Sequence, residues 1–173
     1  ATPSSIHAVI KKNFGLGAET IQKLREDRGG AEISQEITFD LQGKETDSAI
    51  EATVSAFVDQ ILQEALRLKA TDIHLEPYAN SVRLRYRVDG ILETVPVPAD
   101  MRQLQPAVVS RLKIMAGLNI AEKRLPHDGR IAMKTGQEEY DLRVSIMPAK
   151  YGEAVCLRIL GRQNLFLDLS HLG

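Results

Sequence analysis

The chain has 173 residues and a formal net charge of −1, with 43% hydrophobic and 26% charged residues, which is typical of one globular domain with a smaller appendage. The near-zero net charge argues against bulk nucleic-acid binding, and the single cysteine, Cys156, excludes an internal disulfide and a multi-cysteine zinc site. No apolar run approaches the roughly 18 residues of a membrane span and no secretory signal is visible, so we expect a cytoplasmic protein.

Two segments precede the strongest patterns in the chain. Residues 4–28 predict two short helices that are together too small to form a domain. Because the sequence begins with Ala1 and not with methionine, we interpret residues 1–28 as the C-terminal helices of a domain truncated upstream. Residues 29–47 are polar and acidic and contain three glycines, which predicts a linker.

A long amphipathic helix is predicted from residue 48 to about residue 69. Apolar residues recur there at intervals of three and four, beginning with Ile50 and ending with Leu68. Asp47 or Ser48 can cap its first turn.

The hydrophobic pattern then changes to period two, which predicts three strands. Residues 71–77 alternate, and SVRLRYRV (residues 81–88) alternates with an arginine at every second position from Arg83 to Arg87. Asp89-Gly90 is a two-residue hairpin signal, after which ILETV returns as the third strand.

The second half repeats this order. Residues 101–117 predict a helix whose regular part begins at Pro106 and which ends at Gly117. RLPHDGR is interpreted as a turn, and RIAMK, EEYDLRVSIM and EAVCLRIL as three more strands. We therefore predict an α+β domain over residues 48–162, with a mostly antiparallel sheet and two helices on one face, in the order α-βββ-α-βββ.

Asp72, His74 and Glu76 lie at alternate positions of the first predicted strand, so they share one face. Two such residues can chelate a metal ion or move protons, but three along one strand rarely converge on one ion. We expect these side chains to make polar contacts within the sheet or with another domain, and to bind no metal.

Arg83, Arg85 and Arg87 share one face of the next strand with no acid between them. Planar, permanently charged guanidinium groups suit phosphates, as in a nucleotide or a nucleic acid. The alternative is neutralisation by acids on neighbouring strands. The candidate acids are Asp72, Glu76 and Glu93.

Other motifs are weaker. EKRLPHDGRI gathers basic side chains around a turn that could contact a phosphate or an acidic neighbour, or simply be exposed. Cys156 lies in an alternating apolar strand, which favours a core position over a nucleophilic one. None of G-x-x-x-x-G-K-[ST], G-x-G-x-x-G or G-x-S-x-G occurs, so the fragment shows no catalytic residues of its own.

The segments ATDIHLEP, RYRVDG, SRLKIMAGLNIAEKRLPHDGRI and DLRVSIMPAKYGEAVCLRIL resemble, in order, those of the secretion-superfamily traffic ATPases. These are the hexameric motors of type II secretion and type IV pilus assembly. The resemblance covers about residues 50–170 and implies the PAS-like second N-terminal domain of such a motor. It also implies that residues 163–173 are the junction to a RecA-like motor domain beyond Gly173. RVDG and AEKRLP favour the type II branch mildly.

The resemblance implies a nucleotide-capping function. The motor domain of the longer protein would bind and hydrolyse ATP with Mg, and the fragment would bind neither and would not hydrolyse ATP alone. Arginines of the capping domain would contact the phosphates, in the order of preference Arg87, Arg102 and Arg85. Motor-domain contacts would come from Arg124, Arg130 and His127, although many members have glutamine in place of this histidine.

The resemblance also implies partners and a location. The partners would be the fragment's own motor domain, neighbouring subunits of a hexamer and inner-membrane platform proteins, with no nucleic acid. The protein would be cytoplasmic and peripherally attached to the bacterial inner membrane. The alternatives are a stand-alone module that binds nucleic acid or a ligand through its arginine-rich strand face, and a PAS-like sensor, which needs an apolar cavity.

Overall fold

The computed structural model describes residues 15–27 and 48–161, and these contain three helices and six strands. The helices are α1 at Ala18–Asp27, α2 at Ser48–Arg67 and α3 at Met101–Met115. The strands β1 to β6 are, in chain order, Asp72–Pro77, Val82–Val88, Ile91–Val95, His127–Thr135, Glu138–Ala149 and Gly152–Gly161. The first predicted helix, the linker 29–47 and the junction 163–173 lie outside the described residues. No helix within the described ranges is long and apolar enough to cross a membrane.

The six strands form one sheet in the order β3-β2-β1-β6-β5-β4, and every neighbouring pair is antiparallel. Each half of the domain supplies three consecutive strands, and β1 pairs with β6 at the centre. The α+β class and the order helix, three strands, helix, three strands are therefore confirmed.

Helices α2 and α3 cover one face of the sheet, as predicted. The alternate residues of the strands that face them are almost fully buried, and the Tyr86 hydroxyl donates a hydrogen bond of 3.0 Å to the Ile61 carbonyl of α2. Burial raises the pKa of this hydroxyl, which therefore stays protonated. A cavity between α2, α3 and the sheet measures about 10 Å³, which is at the lower limit for one water molecule. This cavity is too small for the ligand of a PAS-like sensor.

Helix α1 packs against α2 and against the segment that follows β3. Ile21 is 3% exposed, and the Gln60 side chain of α2 donates a hydrogen bond of 2.9 Å to the Thr20 hydroxyl. The Leu16 amide donates to the Pro96 carbonyl at 3.0 Å. Gly17 has φ +83° and lies against the Phe57 ring, so that an added Cβ would lie 2.3 Å from a ring carbon. The segment before the predicted linker is thus docked on this domain.

We expect Gly17→Val to detach α1 from α2. The added side chain must displace a buried ring and adopt a strained backbone conformation, which should lower the free energy of unfolding by about 1–3 kcal/mol. Hydrogen exchange should show lost protection in α1 and retained protection in the sheet. Gly136→Ala is the control, because Gly136 also has positive φ but its Cβ would meet no atom within 4 Å. Equal loss of α1 protection in both variants would contradict the steric explanation.

Two boundaries differ from the sequence prediction. Strand β4 begins at His127, inside the segment interpreted as a turn, so that interpretation was wrong for residues 127–129. Helix α3 begins at Met101 and includes Pro106, which lacks one N–H donor but does not end the helix, so the prediction that its regular part begins at Pro106 was wrong.

Candidate functional site

The polar residues of the strands lie on the face of the sheet opposite α2 and α3, here called the open face. The strand registers align five of them across the sheet: Arg87 pairs with Asp72, Asp72 with Arg158, Arg158 with Arg143 and Arg143 with Arg130. These five residues are called the arginine row. Because adjacent strands lie about 4.8 Å apart, the row spans about 19 Å between its end Cα atoms.

Asp72 is the only acid in the arginine row, and it is 6% exposed. Its Oδ1 lies 3.0 Å from Arg158 Nε and its Oδ2 lies 3.3 Å from Arg87 Nε, and the Thr71 hydroxyl donates to Oδ2 at 2.9 Å. Burial opposes ionisation, but the hydrogen bonds from Arg158 and Thr71 and the charges of Arg158 and Arg87 outweigh it and lower the pKa of Asp72. The carboxylate is therefore ionised at neutral pH.

Arg143 and Arg130 continue the row without an acid. Both side chains are exposed, and within residues 15–27 and 48–161 neither has a carboxylate partner. Like charges placed opposite one another on adjacent strands destabilise a sheet. A hollow of about 500 Å³ lies beside them. It is lined by Asp128, Gly129, Arg130, Arg143, Val144, Ser145, Cys156 and Arg158. An anion bound in this hollow would relieve the repulsion.

The arginine stripe of β2 is largely engaged within the domain. Arg85 forms a short ion pair with Glu76, and Arg83 lies over the Tyr78 ring at 4.5 Å. With the Arg87–Asp72 pair, the predicted polar contacts of Asp72 and Glu76 and the predicted neutralisation of the stripe by these two acids are confirmed. The stripe therefore offers little free charge to a nucleic acid.

His74 lies between these ion pairs on β1. Among the described residues its Nε2 has no hydrogen-bond partner. Burial, followed by the charge of Arg85, lowers the pKa of this imidazole, so it is neutral at pH 7. No group of three or more His, Cys, Asp or Glu side chains in the described ranges is placed to hold a metal ion.

Arg102 lies at the start of α3 and links two turns. Its Nε donates to the Tyr78 carbonyl at 3.1 Å, and its Nη2 donates to the Tyr151 carbonyl at 3.3 Å. The guanidinium thus holds the β1–β2 turn next to the β5–β6 turn. Its contact with a phosphate stays a prediction, as do those of Arg85 and Arg87.

The residues predicted to meet the motor domain do not share one face. Arg130 lies on the open face, whereas His127 is paired with the buried Ile146 and lies on the covered face. Arg124 is 88% exposed and binds Glu122 at 3.1 Å, and this hydrogen bond lowers the pKa of Glu122 to about 2. These interface assignments stay predictions.

Cys156 lies on the open face, between His74 and Ser145 in the register. The prediction of a core position was wrong, because the apolar neighbours Val155 and Leu157 face the helices instead. Burial raises the pKa of the half-buried thiol, which keeps it protonated and poorly nucleophilic at neutral pH.

Arg143 and Arg158 were missed by the sequence analysis. The signal was present, because each occupies a polar position in a strand whose alternate residues are apolar. Their significance depends on the register that places them beside Arg130 and Asp72, which period-two alternation alone does not provide.

Comparison with known proteins gives a consistent result. The family described as "Type II/IV secretion system protein" matches residues 47–173. A type II secretion system protein E from Pseudomonas aeruginosa is 45% identical over 175 aligned residues, which cover 98% of this chain and 34% of that protein. One from Xanthomonas campestris is 42% identical over 171 residues, covering 98% of this chain and 29% of that protein.

A pilus protein is similar as well. The type IV pilus assembly ATPase PilB of Myxococcus xanthus is 39% identical over 175 aligned residues, covering 100% of this chain and 30% of that protein. The chain thus spans about a third of the length of the curated relatives it matches.

Proposed function

The chain belongs to the family of type II/IV secretion system proteins, and from this premise we propose that it is the N-terminal nucleotide-capping part of an ATPase that powers type II secretion or type IV pilus assembly. ATP and Mg are bound mainly by a motor domain outside this chain. The 173 residues of this chain contain no G-x-x-x-x-G-K-[ST] motif, which is the phosphate-binding loop of such a domain. The chain supplies arginines to the phosphates of that ATP.

The arginine row is the observation that carries this proposal. Arg158, Arg143 and Arg130 lie on three adjacent strands beside one hollow, and the last two have no acidic partner in the described part of the chain. Guanidinium groups keep their charge and donate paired hydrogen bonds, which matches the geometry of phosphate oxygens. A triphosphate would provide the negative charge that this part of the sheet lacks.

The contribution to the reaction is electrostatic. Phosphoryl transfer spreads negative charge over the transferred group, and arginines placed beside that group stabilise the charge without forming covalent bonds. Movement of this domain towards and away from the motor domain would bring the arginines to the nucleotide and withdraw them, which couples hydrolysis to motion.

The predicted phosphate contacts are not equally placed for this role. Arg87 belongs to the arginine row, Arg85 is engaged by Glu76, and Arg102 holds two turns together. We therefore retain Arg87 and add Arg143 and Arg158. Arg124, Arg130 and His127 remain the proposed contacts with the motor domain. Arg130 also lines the hollow in which we propose that the phosphates bind.

The assembly follows from the same proposal. The whole protein would form a hexamer, contact inner-membrane platform proteins of the secretion or pilus machine, and be held peripherally at the cytoplasmic side of that membrane. The names of the relatives, which include both type II secretion proteins and a pilus assembly ATPase, support such a machine without separating the two branches.

The test of the proposed function is Arg87→Ala in the full-length ATPase. We expect turnover of ATP to fall about tenfold while the oligomeric state persists, because one charge near the phosphates is lost. The expected loss is modest because two contacts within the domain already engage the Arg87 guanidinium. Its Nε binds Asp72, and its Nη1 donates a hydrogen bond of 3.0 Å to the Gly90 carbonyl. Arg83→Ala is the control, since Arg83 lies on the same strand and face but stacks on Tyr78. Unchanged turnover in Arg87→Ala would overturn the assignment of this residue.

A further inference from the structure

Asp72 binds two arginines of the row in the same way. Its two carboxylate oxygens face the Nε atoms of Arg158 on one neighbouring strand and Arg87 on the other. The Thr71 hydroxyl fixes one of these oxygens at 2.9 Å. A carboxylate that is 6% exposed and held from three sides has little freedom to rotate, so its lone pairs have fixed directions.

The contact at Nε leaves the far end of Arg158 available. A guanidinium carries five N–H donors, and Asp72 engages the one that lies nearest the aliphatic stem. The Arg158 side chain is 65% exposed, so its terminal nitrogens remain accessible to a ligand. Arg87 differs, because its Nη1 donates to the Gly90 carbonyl and it keeps that anchor without Asp72. Arg158 is therefore the arginine that depends on Asp72 for its orientation.

We propose that Asp72 is a positioning residue, which orients the Arg158 guanidinium so that its terminal N–H groups meet a phosphate of the bound nucleotide. This inference rests on the proposed function and adds to it a residue that touches no substrate. An exposed arginine samples many rotamers, and a buried, ionised partner at Nε removes that freedom before the ligand arrives. Catalysis by charge is sensitive to such placement, since displacement by about 1 Å can cost a hundredfold in rate.

The geometry distinguishes orientation from simple charge neutralisation. A residue that only offset the positive charge of the row would serve equally well with its carboxylate displaced by one methylene group. A residue that orients Arg158 must keep its oxygens at the observed 3.0 Å from Nε. Asp72→Glu, which keeps the charge and moves the carboxylate, therefore separates these two functions, and Asp72→Asn removes the charge and keeps the shape.

The experiment measures kcat and KM for ATP in the full-length ATPase with four changes: Asp72→Asn, Asp72→Glu, Arg158→Ala, and Asp72→Asn combined with Arg158→Ala. We expect Arg158→Ala to lower kcat about a hundredfold. Both single Asp72 variants should lower kcat about tenfold while KM changes less than about twofold. In the combined variant, the Asp72 change should cost less than about twofold beyond Arg158→Ala, because it acts through that arginine.

Glu64→Gln is the matched control. Glu64 also binds an arginine through its carboxylate, with Arg67 Nε at 2.7 Å, but on the exposed side of α2. We expect it to leave kcat unchanged. Denaturant unfolding of every variant checks that the domain remains folded, and the glutamate variant keeps the test decisive if the asparagine variant unfolds.

The outcomes distinguish a failure of the positioning role of Asp72 from a failure of the proposed contact between the arginine row and the nucleotide. If Arg158→Ala lowers kcat but both Asp72 variants retain it, or if the Asp72 and Arg158 effects multiply, Asp72 does not position Arg158. Full activity of Asp72→Glu alone would reduce Asp72 to charge neutralisation and also overturn the proposal. Unchanged turnover in Arg158→Ala would instead contradict the proposed contact between the arginine row and the nucleotide, and with it the role of Asp72.

Discussion

Lys113→Met is expected to lower the free energy of unfolding of this chain by about 3–5 kcal/mol. Lys113 is 1% exposed, and its Nζ lies 2.6 Å from the Glu153 carboxylate, which is itself 11% exposed. The same ammonium donates to the Glu122 carbonyl at 2.5 Å. Methionine keeps the length of the side chain but leaves the Glu153 charge buried without a partner, and this uncompensated charge accounts for most of the expected loss.

The pair can be separated from the packing by a double-mutant cycle. Lys113→Met combined with Glu153→Met removes both charges, and we expect it to recover most of the stability lost in Lys113→Met. Lys150→Met is the matched control, because Lys150 is exposed and lies over the Tyr151 ring at 5.2 Å, and its loss should cost less than about 1 kcal/mol. Urea unfolding of the unaltered protein, Lys113→Met, Glu153→Met, the double variant and Lys150→Met gives the comparison. If the double variant were less stable than Lys113→Met, burial of an unpaired charge would not be the cause.

This buried ion pair also shows where sequence patterns fail. Lys113 lies within an amphipathic helix, where a lysine is normally exposed, and nothing near it in sequence identifies Glu153 as its partner. The pairing exists because α3 lies on the sheet at the start of β6 and because the segment after α3 passes close to the ammonium. Both conditions depend on the packing of elements that are distant in the chain.

Local sequence patterns were sufficient to predict individual helices and strands. The alternation of residues 81–88 predicted β2, which is observed one residue shorter at Val82–Val88, and Asp89 and Gly90 both have positive φ, as a two-residue hairpin of that sequence requires. The helix predicted from residue 48 is present as α2, although it ends at Arg67 because Lys69 adopts φ 54°. In these segments the local preference and the final structure agree.

The segment PHDG shows the opposite case. Its composition favours a turn, but residues 127–129 pair with β5, and tertiary pairing overrides the local preference. Gly129 is needed for another reason, since an added Cβ would lie 3.0 Å from the Ala116 side chain at the end of α3. The glycine thus allows β4 to pass close to the helix. In the same strand, Arg130 pairs with Arg143 and lies on the open face.

The arginine row could not be read from the sequence because it is a property of register. Asp72 and Arg158 are 86 positions apart and meet only because β1 pairs with β6. The sequence pattern showed arginines at alternate positions of β2, whereas the strand registers show a wider set that crosses five strands. The predicted phosphate contacts, Arg87, Arg102 and Arg85, therefore did not include Arg143 and Arg158.

Under the proposed capping function, replacing Arg143 and Arg158 together by alanine in the full-length protein is expected to lower ATP turnover about a thousandfold. Arginines that stabilise the charge of phosphoryl transfer contribute about 10³–10⁵ in kcat, and the double change leaves Arg87 and Arg130 as the only arginines in the row. Oligomeric state should persist and thermal stability should fall little, because Arg143 has no acidic partner among the described residues and Asp72 keeps its contacts with Arg87 and Thr71 when Arg158 is lost.

Arg67→Ala is the matched control for this double change, since Arg67 is an exposed arginine paired with Glu64 on the helical side of the domain. It should retain full turnover, and a loss there would indicate a general effect of surface charge. The two single variants should each lose about a hundredfold or less, and the double variant should lose more than either. Turnover within about threefold of the unaltered protein in the double variant would contradict the proposed capping function, because it would remove two of the three arginines that line the hollow without effect. ATP turnover of Arg102→Ala, measured in the same way, tests the alternative that the two turns held together by Arg102 contact the nucleotide instead of the arginine row.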